Sequence, residues 1–206
     1  MPIDQKTKDK ALLQIVYLFI LPVLLIYFNI IPAQFRVQLL AIVALVTVFI
    51  MIREKWDTVK IGLFKRYSIG TIILYSLFTV IGLWWLLHFA REFGFHPENN
   101  WWRNERFLLL FIPLSVLQEV LYRMFLIPKL KELFETRMTV VLVNAALFTL
   151  LHVIYPEPAL MLPLAFAGGL GFAALYLYRP NIVLISITHI ILNFVAVLLG
   201  FFTFAS

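Results

Sequence analysis

Residues 107–127 read FLLLFIPLSVLQEVLYRMFLI. A membrane helix needs about 20 mostly apolar residues, and this run is long enough. Its second half nevertheless carries Gln118, Glu119, Tyr122 and Arg123. A charged side chain at the centre of such a helix costs roughly 2.5–3.5 kcal/mol on insertion scales. Glu119 and Arg123 are four residues apart, so a helix places them on one face, where the cation can neutralise the acid and hold its orientation. Gln118 and Tyr122 share a neighbouring stripe. The stretch reads as a spanning helix that turns a polar stripe into a bundle rather than towards lipid. A structural ion pair locking helices together is the plainer use of the same residues.

The rest of the chain has the same character. Of its 206 residues 63% are hydrophobic and 14% charged, and mean hydropathy is +0.95. A water-soluble domain cannot hide that much apolar surface. The expectation is an all-α polytopic membrane protein, one domain over residues 1–206, with about seven spans (six to eight). They fall near 12–31, 37–52, 69–90, 107–127, 138–154, 159–178 and 181–204. The second and fifth are short and can extend into their flanks. There is no cysteine, which excludes disulfides, thiolate metal sites, a cysteine nucleophile and prenylation of this chain. The opening MPIDQKTKDK leads into an apolar run with no small-residue cleavage site behind it. It reads as a retained first span rather than a signal peptide.

The net charge of +6 is spread between the apolar runs and suggests no nucleic-acid partner. With seven spans the termini lie on opposite sides. Twelve Lys and Arg fall on the side of the N-terminus, in residues 1–11, 53–66, 128–137 and at Arg179. Four fall on the other: Arg36, Arg91, Arg103 and Arg106. That asymmetry favours a cytoplasmic N-terminus. Residues 59–67 mix cations with apolar side chains and suit either a segment lying along the membrane surface or an ordinary basic loop. Trp84, Trp85, Trp101 and Trp102 read as interface anchors.

Two further clusters follow the first. Asn144, Phe148 and His152 recur every four residues and face one way on a helix. His189 and Asn193 are again four apart, with Ser186 on nearly the same face. Singly, each has a bland use, as a satisfied interface histidine or an interhelical hydrogen-bond clamp. Together they hold nearly all the strongly polar side chains of the last four spans. A carboxylate with two imidazoles suffices for general-base hydrolysis: the acid takes a proton from water, one histidine orients that water or protonates the leaving amine, and an amide or second histidine donates to the oxyanion. Depth is a partial check. Glu119 and His189 each lie eight residues from the same membrane face, about 12 Å. His152 lies fourteen residues into its span. Either residues 131–137 form a helical extension beyond the membrane, or the fifth span is tilted or broken.

These clusters, in this order, resemble the CPBP family of intramembrane proteases, which includes the CAAX prenyl endopeptidases and the bacteriocin-processing (Abi) proteins. Its pattern is Glu-Glu-x-x-x-Arg, Phe-x-x-x-His and His-x-x-x-Asn, each on its own helix. Here stand Gln118-Glu119-x-x-x-Arg123, Phe148-x-x-x-His152 and His189-x-x-x-Asn193. Tyr122-Arg123-Met124-Phe125-Leu126, Gly168-Gly169-Leu170-Gly171 and Arg179-Pro180-Asn181 are also similar to family segments, and the likeness covers about 105–200. It implies a cavity between the fourth, fifth and seventh spans of a bacterial cytoplasmic-membrane protein. Glutamate and histidine would activate water there without metal or other cofactor. By motif, the catalytic set is Gln118, Glu119, Arg123, His152, His189 and Asn193. His152 assists the base, His189 and Asn193 hold the oxyanion, and Arg123 orients the acid. Tyr122, Phe148, Asn144 and Ser186 are substrate-cavity candidates. The substrate would be a lipidated peptide, a leader peptide or a membrane-protein segment, in contact with membrane lipids.

The departure is Gln118, where the family usually has its base. An amide is no general base at neutral pH. Three readings stay open: Glu119 carries the chemistry, the glutamine is an engineered inactivation, or the protein is a natural pseudoprotease. Adjacent residues point about 100° apart on a helix, so Glu119 does not simply fill the place of 118. The alternatives in other classes are a non-catalytic peptide-binding scaffold or immunity protein, a transporter, and a metal-dependent protease with Glu119, His152 and His189 as zinc ligands. The chain lacks both a His-Glu-x-x-His motif and a paired-repeat signature.

Overall fold

A computed structural model of the chain describes residues 3–63, 67–97, 101–155 and 158–201. Among these, every regular element is a helix. Six are long and apolar enough to cross a membrane: Gln5–Tyr27, Ala33–Arg53, Ile69–Glu92, Phe107–Leu133, Arg137–Ile154 and Met161–Tyr178. A shorter apolar helix, Ile182–Leu198, follows as the seventh. The protein is an integral membrane protein of all-helical architecture.

Capping chemistry sets the ends. Ser68, Asn104, Thr136 and Asn181 each accept a hydrogen bond from a first-turn backbone N–H, satisfying donors a helix start leaves free. The first span ends at Tyr27, short of the expected 31, because Asn29 turns left-handed at φ 56°. The seventh ends at Leu198, short of the expected 204. Gly200 is left-handed at φ 82°, and the Phe201 N–H closes back on the Ala196 carbonyl at 3.1 Å, the usual glycine stop. A Cβ at Gly200 would collide with the His96 carbonyl oxygen. Residues 202–206 lie outside the described residues.

The fourth span is the centre of the bundle: 56% of its apolar window is buried, against 17% for the third. It is not uniform. Val120–Leu126 form a wide π turn between α-helical stretches, and the first span has one at Val16–Ile20. Each ends two residues before a proline, Pro128 and Pro22. Proline lacks the N–H for the carbonyl four residues back and its ring crowds that carbonyl. The two carbonyls, of Met124 and Leu18, lie inside the wide turns, which relieve the crowding. Proline is not sufficient, since Pro113 sits in α-helix. At the second turn Asn144 supplies the other half, donating Nδ2 to the Tyr122 carbonyl at 2.6 Å.

The fourth span continues to Leu133 before Phe134 breaks it in an extended conformation. The fifth starts at Arg137. Glu119 is thus fourteen residues before that turn and His152 fifteen after it, which puts them at one level. The helical extension beyond residue 127 removes the mismatch in depth.

The segment after residue 57 is a loop, not a surface helix, over its described part. Gly62, at φ 76°, receives the Ile182 N–H on its carbonyl at 3.0 Å. Tyr176 donates its hydroxyl to the Ile61 carbonyl, and Tyr75 donates to the Arg179 carbonyl at 2.8 Å. The loop is thereby tied to the turn that launches the seventh span. Residues 64–66 lie outside the described residues.

At the same end Glu54 gathers the first, second and fourth spans. Its carboxylate lies 2.7 Å from Lys10 Nζ and 3.1 Å from Lys129 Nζ, and accepts from Trp56 Nε1 at 2.8 Å. Lys129 is 3% exposed and lies 5.1 Å over the Trp56 ring, which stacks on Phe125. Burial pushes the Glu54 carboxyl up, but hydrogen bonds from Lys10, Trp56 and Lys129 outweigh it and hold the value at about 2. A depressed carboxyl contributes stability above its ordinary value of 4.5 and loses it as pH falls through the folded value. Unfolding midpoints in mild detergent should therefore fall between pH 4.5 and about 2. Glu54→Gln should be less stable at pH 7 and flatter across that window. An unchanged slope would show that the cluster contributes nothing.

Candidate active site

Two helices run antiparallel and match residue for residue. The first half of the fourth span packs on the seventh. Across them His189 Nδ1 donates to Glu119 Oε1 at 2.6 Å. One turn further along each helix, Asn193 Nδ2 donates to Ser115 Oγ at 3.0 Å, and Ser115 donates to the Phe111 carbonyl at 2.8 Å. The i, i+4 spacing on both helices produces this ladder. Glu119 is fully buried.

Arg123 lies behind the ladder. Its Nε is 3.3 Å from Glu119 Oε2. The guanidinium rests 4.5 Å from the Phe148 ring centre and 5.3 Å from that of Phe172. The contact with Glu119 lacks hydrogen-bond geometry, and Nη1 and Nη2 have no hydrogen-bond partner among the described residues. Aromatic faces and one carboxylate hold this buried cation.

His152 ends the α-helical part of the fifth span as its C-cap and donates Nδ1 to the Phe148 carbonyl at 2.8 Å. Both histidines therefore use Nδ1 as donor, which leaves Nε2 of the neutral ring as an acceptor.

Beside these groups is a cavity of about 270 Å³. Among the described residues His152, His189 and Asn193 are its polar lining, and the others that line it are apolar. The third span supplies Phe78, Ile81, Trp84 and Trp85, and the sixth supplies Met161, Leu164, Ala165, Ala167, Gly168 and Phe172. Phe78 packs on Phe172 at 5.5 Å, and both line the cavity together with Phe201. Ile81 and Trp84 are 63% and 65% exposed, so the outer lip faces lipid.

The polar groups come from the fourth, fifth and seventh spans, as expected. The open space lies to their side, walled by the third, sixth and seventh spans with the end of the fifth. Phe148 lines it. Tyr122, Asn144 and Ser186 are buried but do not. Tyr122 packs edge-on to Phe148, Asn144 ties down the π turn, and Ser186 Oγ has no hydrogen-bond partner among the described residues. Gln118 is 7% exposed, off the cavity and outside the Glu119–His189 pair. Glu119 meets His189 rather than His152. Among the described residues no three His, Asp or Glu side chains gather as a metal-ligand set, so the zinc arrangement of Glu119, His152 and His189 is not formed.

Sequence reasoning missed Ser115, although it lies one turn before Glu119 on the same face. Trp84 and Trp85, expected as interface anchors with a substrate role the lesser alternative, both line the cavity, and Trp84 also faces outward.

No curated protein and no solved structure matches the chain. Residues 100–195, which hold the whole ladder, Arg123 and His152, match the family described as type II CAAX prenyl endopeptidase Rce1-like, and it is through this region that the chain is similar to that family.

Proposed function

We propose that the protein is an intramembrane endopeptidase in which His189 takes the proton of water and Glu119 holds His189. The observation that carries this is the hydrogen bond of Glu119 to a histidine that also lines an apolar cavity, which Glu119 itself does not line. A buried carboxylate on Nδ1 orients the imidazole and stabilises its protonated form, the logic of a hydrolytic dyad. Water bound at Nε2 loses its proton to His189 as its oxygen attacks the scissile carbonyl carbon. The carbon–nitrogen bond then breaks, and His189 returns the proton to the leaving amine. His152 Nε2 accepts the water's second hydrogen and positions it. Asn193 spends one amide hydrogen on Ser115 and offers the other to the oxyanion. These roles exchange those that the family resemblance implies for the two histidines.

On this reading the substrate is a lipidated peptide or membrane-protein segment that enters past Ile81 and Trp84 from the lipid side. The basic flanks support a cytoplasmic N-terminus. The chemistry requires water and no cofactor.

A second reading has one observation in its favour. Gln118 stands at the position where the resemblance leads one to expect a carboxylate, and a peptide-binding scaffold would tolerate that. The two part in one experiment. Membranes holding the chain as given, Glu119→Ala and Gln118→Glu are presented with co-expressed tagged peptides. The proposal expects cleavage by the first and not the second. Cleavage by Gln118→Glu alone would mark the given chain as an inactive form, and cleavage by none would favour the scaffold.

A further inference from the structure

Gly168, Gly169 and Gly171 lie close together on the sixth span, yet the structure needs them differently. A Cβ at Gly169 would come 3.1 Å from Ala145 Cα and 3.3 Å from the Phe148 ring, so glycine there lets the fifth and sixth spans approach closely. A Cβ at Gly171 would meet the Phe78 ring at 2.7 Å. At Gly168 the nearest atom would be in the Phe172 ring at 3.9 Å. Packing does not require glycine at 168, and glycine is a poor helix former. Gly168 lines the cavity with His189 and Asn193, one turn from Phe172, whose ring lies 5.0 Å from that of His189.

We propose that Gly168 sets the size of the substrate group that this cavity admits: its missing side chain keeps the wall open for a large apolar side chain of the peptide next to the bond being cut. This rests on the endopeptidase reading. The occupant's chemistry follows from the lining. Met161, Leu164, Ala165, Leu192 and Ala196 surround the space, and among the described residues no Lys, Arg, Asp or Glu lines it. A charged side chain would lose its water there without a partner, whereas a leucine or phenylalanine side chain buries its surface. The volume of about 270 Å³ is ample for one such group, and each methylene added to the wall removes part of it.

The test has two arms. The chain has no cysteine, so Gly168→Cys introduces its only thiol. In vesicles this variant is expected to react with alkyl methanethiosulfonates up to benzyl in size, while Gly169→Cys, packed on Ala145, stays unreactive. A thiol at 168 that reacts no faster than the one at 169 overturns the proposal, whatever the protein cleaves. In the second arm, wild type and Gly168→Leu in proteoliposomes are given a peptide library, and product ends are read by mass spectrometry. Products with Leu or Phe at one position beside the cut should fall at least ~10-fold relative to those with Ala. Gly168→Ala should give an intermediate ratio. Products whose profile is unchanged in Gly168→Leu remove this inference alone. An absence of products from wild type removes the endopeptidase reading and this inference with it.

Discussion

Replacing His189 with alanine is expected to lower peptide cleavage by about 10²–10⁴-fold, the usual contribution of a positioned acid–base group. Glu119→Gln should lose a comparable amount although Glu119 does not reach the cavity. In the proposed mechanism it acts on water through the ring, by fixing the orientation of His189 and by stabilising its cation. Because the two work as one unit, the double variant should be little worse than either single one. The discriminating measurement is rescue. In His189→Gly, added imidazole can enter past Ile81 and Trp84 and occupy the vacated space. Activity should rise with imidazole concentration in His189→Gly and not in Glu119→Ala, whose cavity is sealed from the opening by the intact ring. Cleavage by His189→Ala within tenfold of wild type would end the assignment of His189 as base.

The second large effect is on stability. Arg123→Met should destabilise the protein by about 3–5 kcal/mol, the range for removing one partner of a buried ion pair. The guanidinium is completely buried and close to Glu119 Oε2, which has no hydrogen-bond partner among the described residues. Without the cation the carboxylate keeps, among those residues, only His189. Methionine fills similar space between Phe148 and Phe172, so a cavity is not the main cost. Combining Arg123→Met with Glu119→Gln removes both charges and should recover most of the loss. Unfolding midpoints in mild detergent for the two single variants and the double measure the coupling directly. A double variant as unstable as the sum of the singles would mean that Arg123 serves packing rather than charge compensation.

Much of the architecture was legible because membrane helices announce themselves by apolar length. The third and sixth spans fall within a few residues of expectation. The errors are at ends that local chemistry decides. Asn29 and Gly200 stop helices inside apolar runs, and hydropathy does not register a left-handed residue. The three polar clusters could be read from their i, i+4 spacing. Their pairing could not, since periodicity orients each helix about its own axis but does not say which helices touch. That Glu119 meets His189 and not His152 follows from the fourth span packing on the seventh, a tertiary fact. The cavity was hidden for a related reason. Phe78, Trp85, Leu164 and Gly168 are ordinary membrane residues one by one, and only the packing of separate helices brings them together as a wall. The π turns had a signal that went unread, a proline two residues downstream in both cases.

The wide turn at Val120–Leu126 gives the fourth span two independent phases. Upstream of it, the side chains answer to the seventh span, where Ser115 and Glu119 must meet Asn193 and His189. Downstream, Ile127–Leu133 answers to the first and fifth spans, against which that stretch packs. A strictly regular helix fixes the angle between any two of its residues, so the demands of one set of neighbours would dictate what it shows to the other. The looser coil absorbs the difference in rotation. The polar ladder and the structural anchors on one continuous rod can thus be aligned separately, each to its own surroundings.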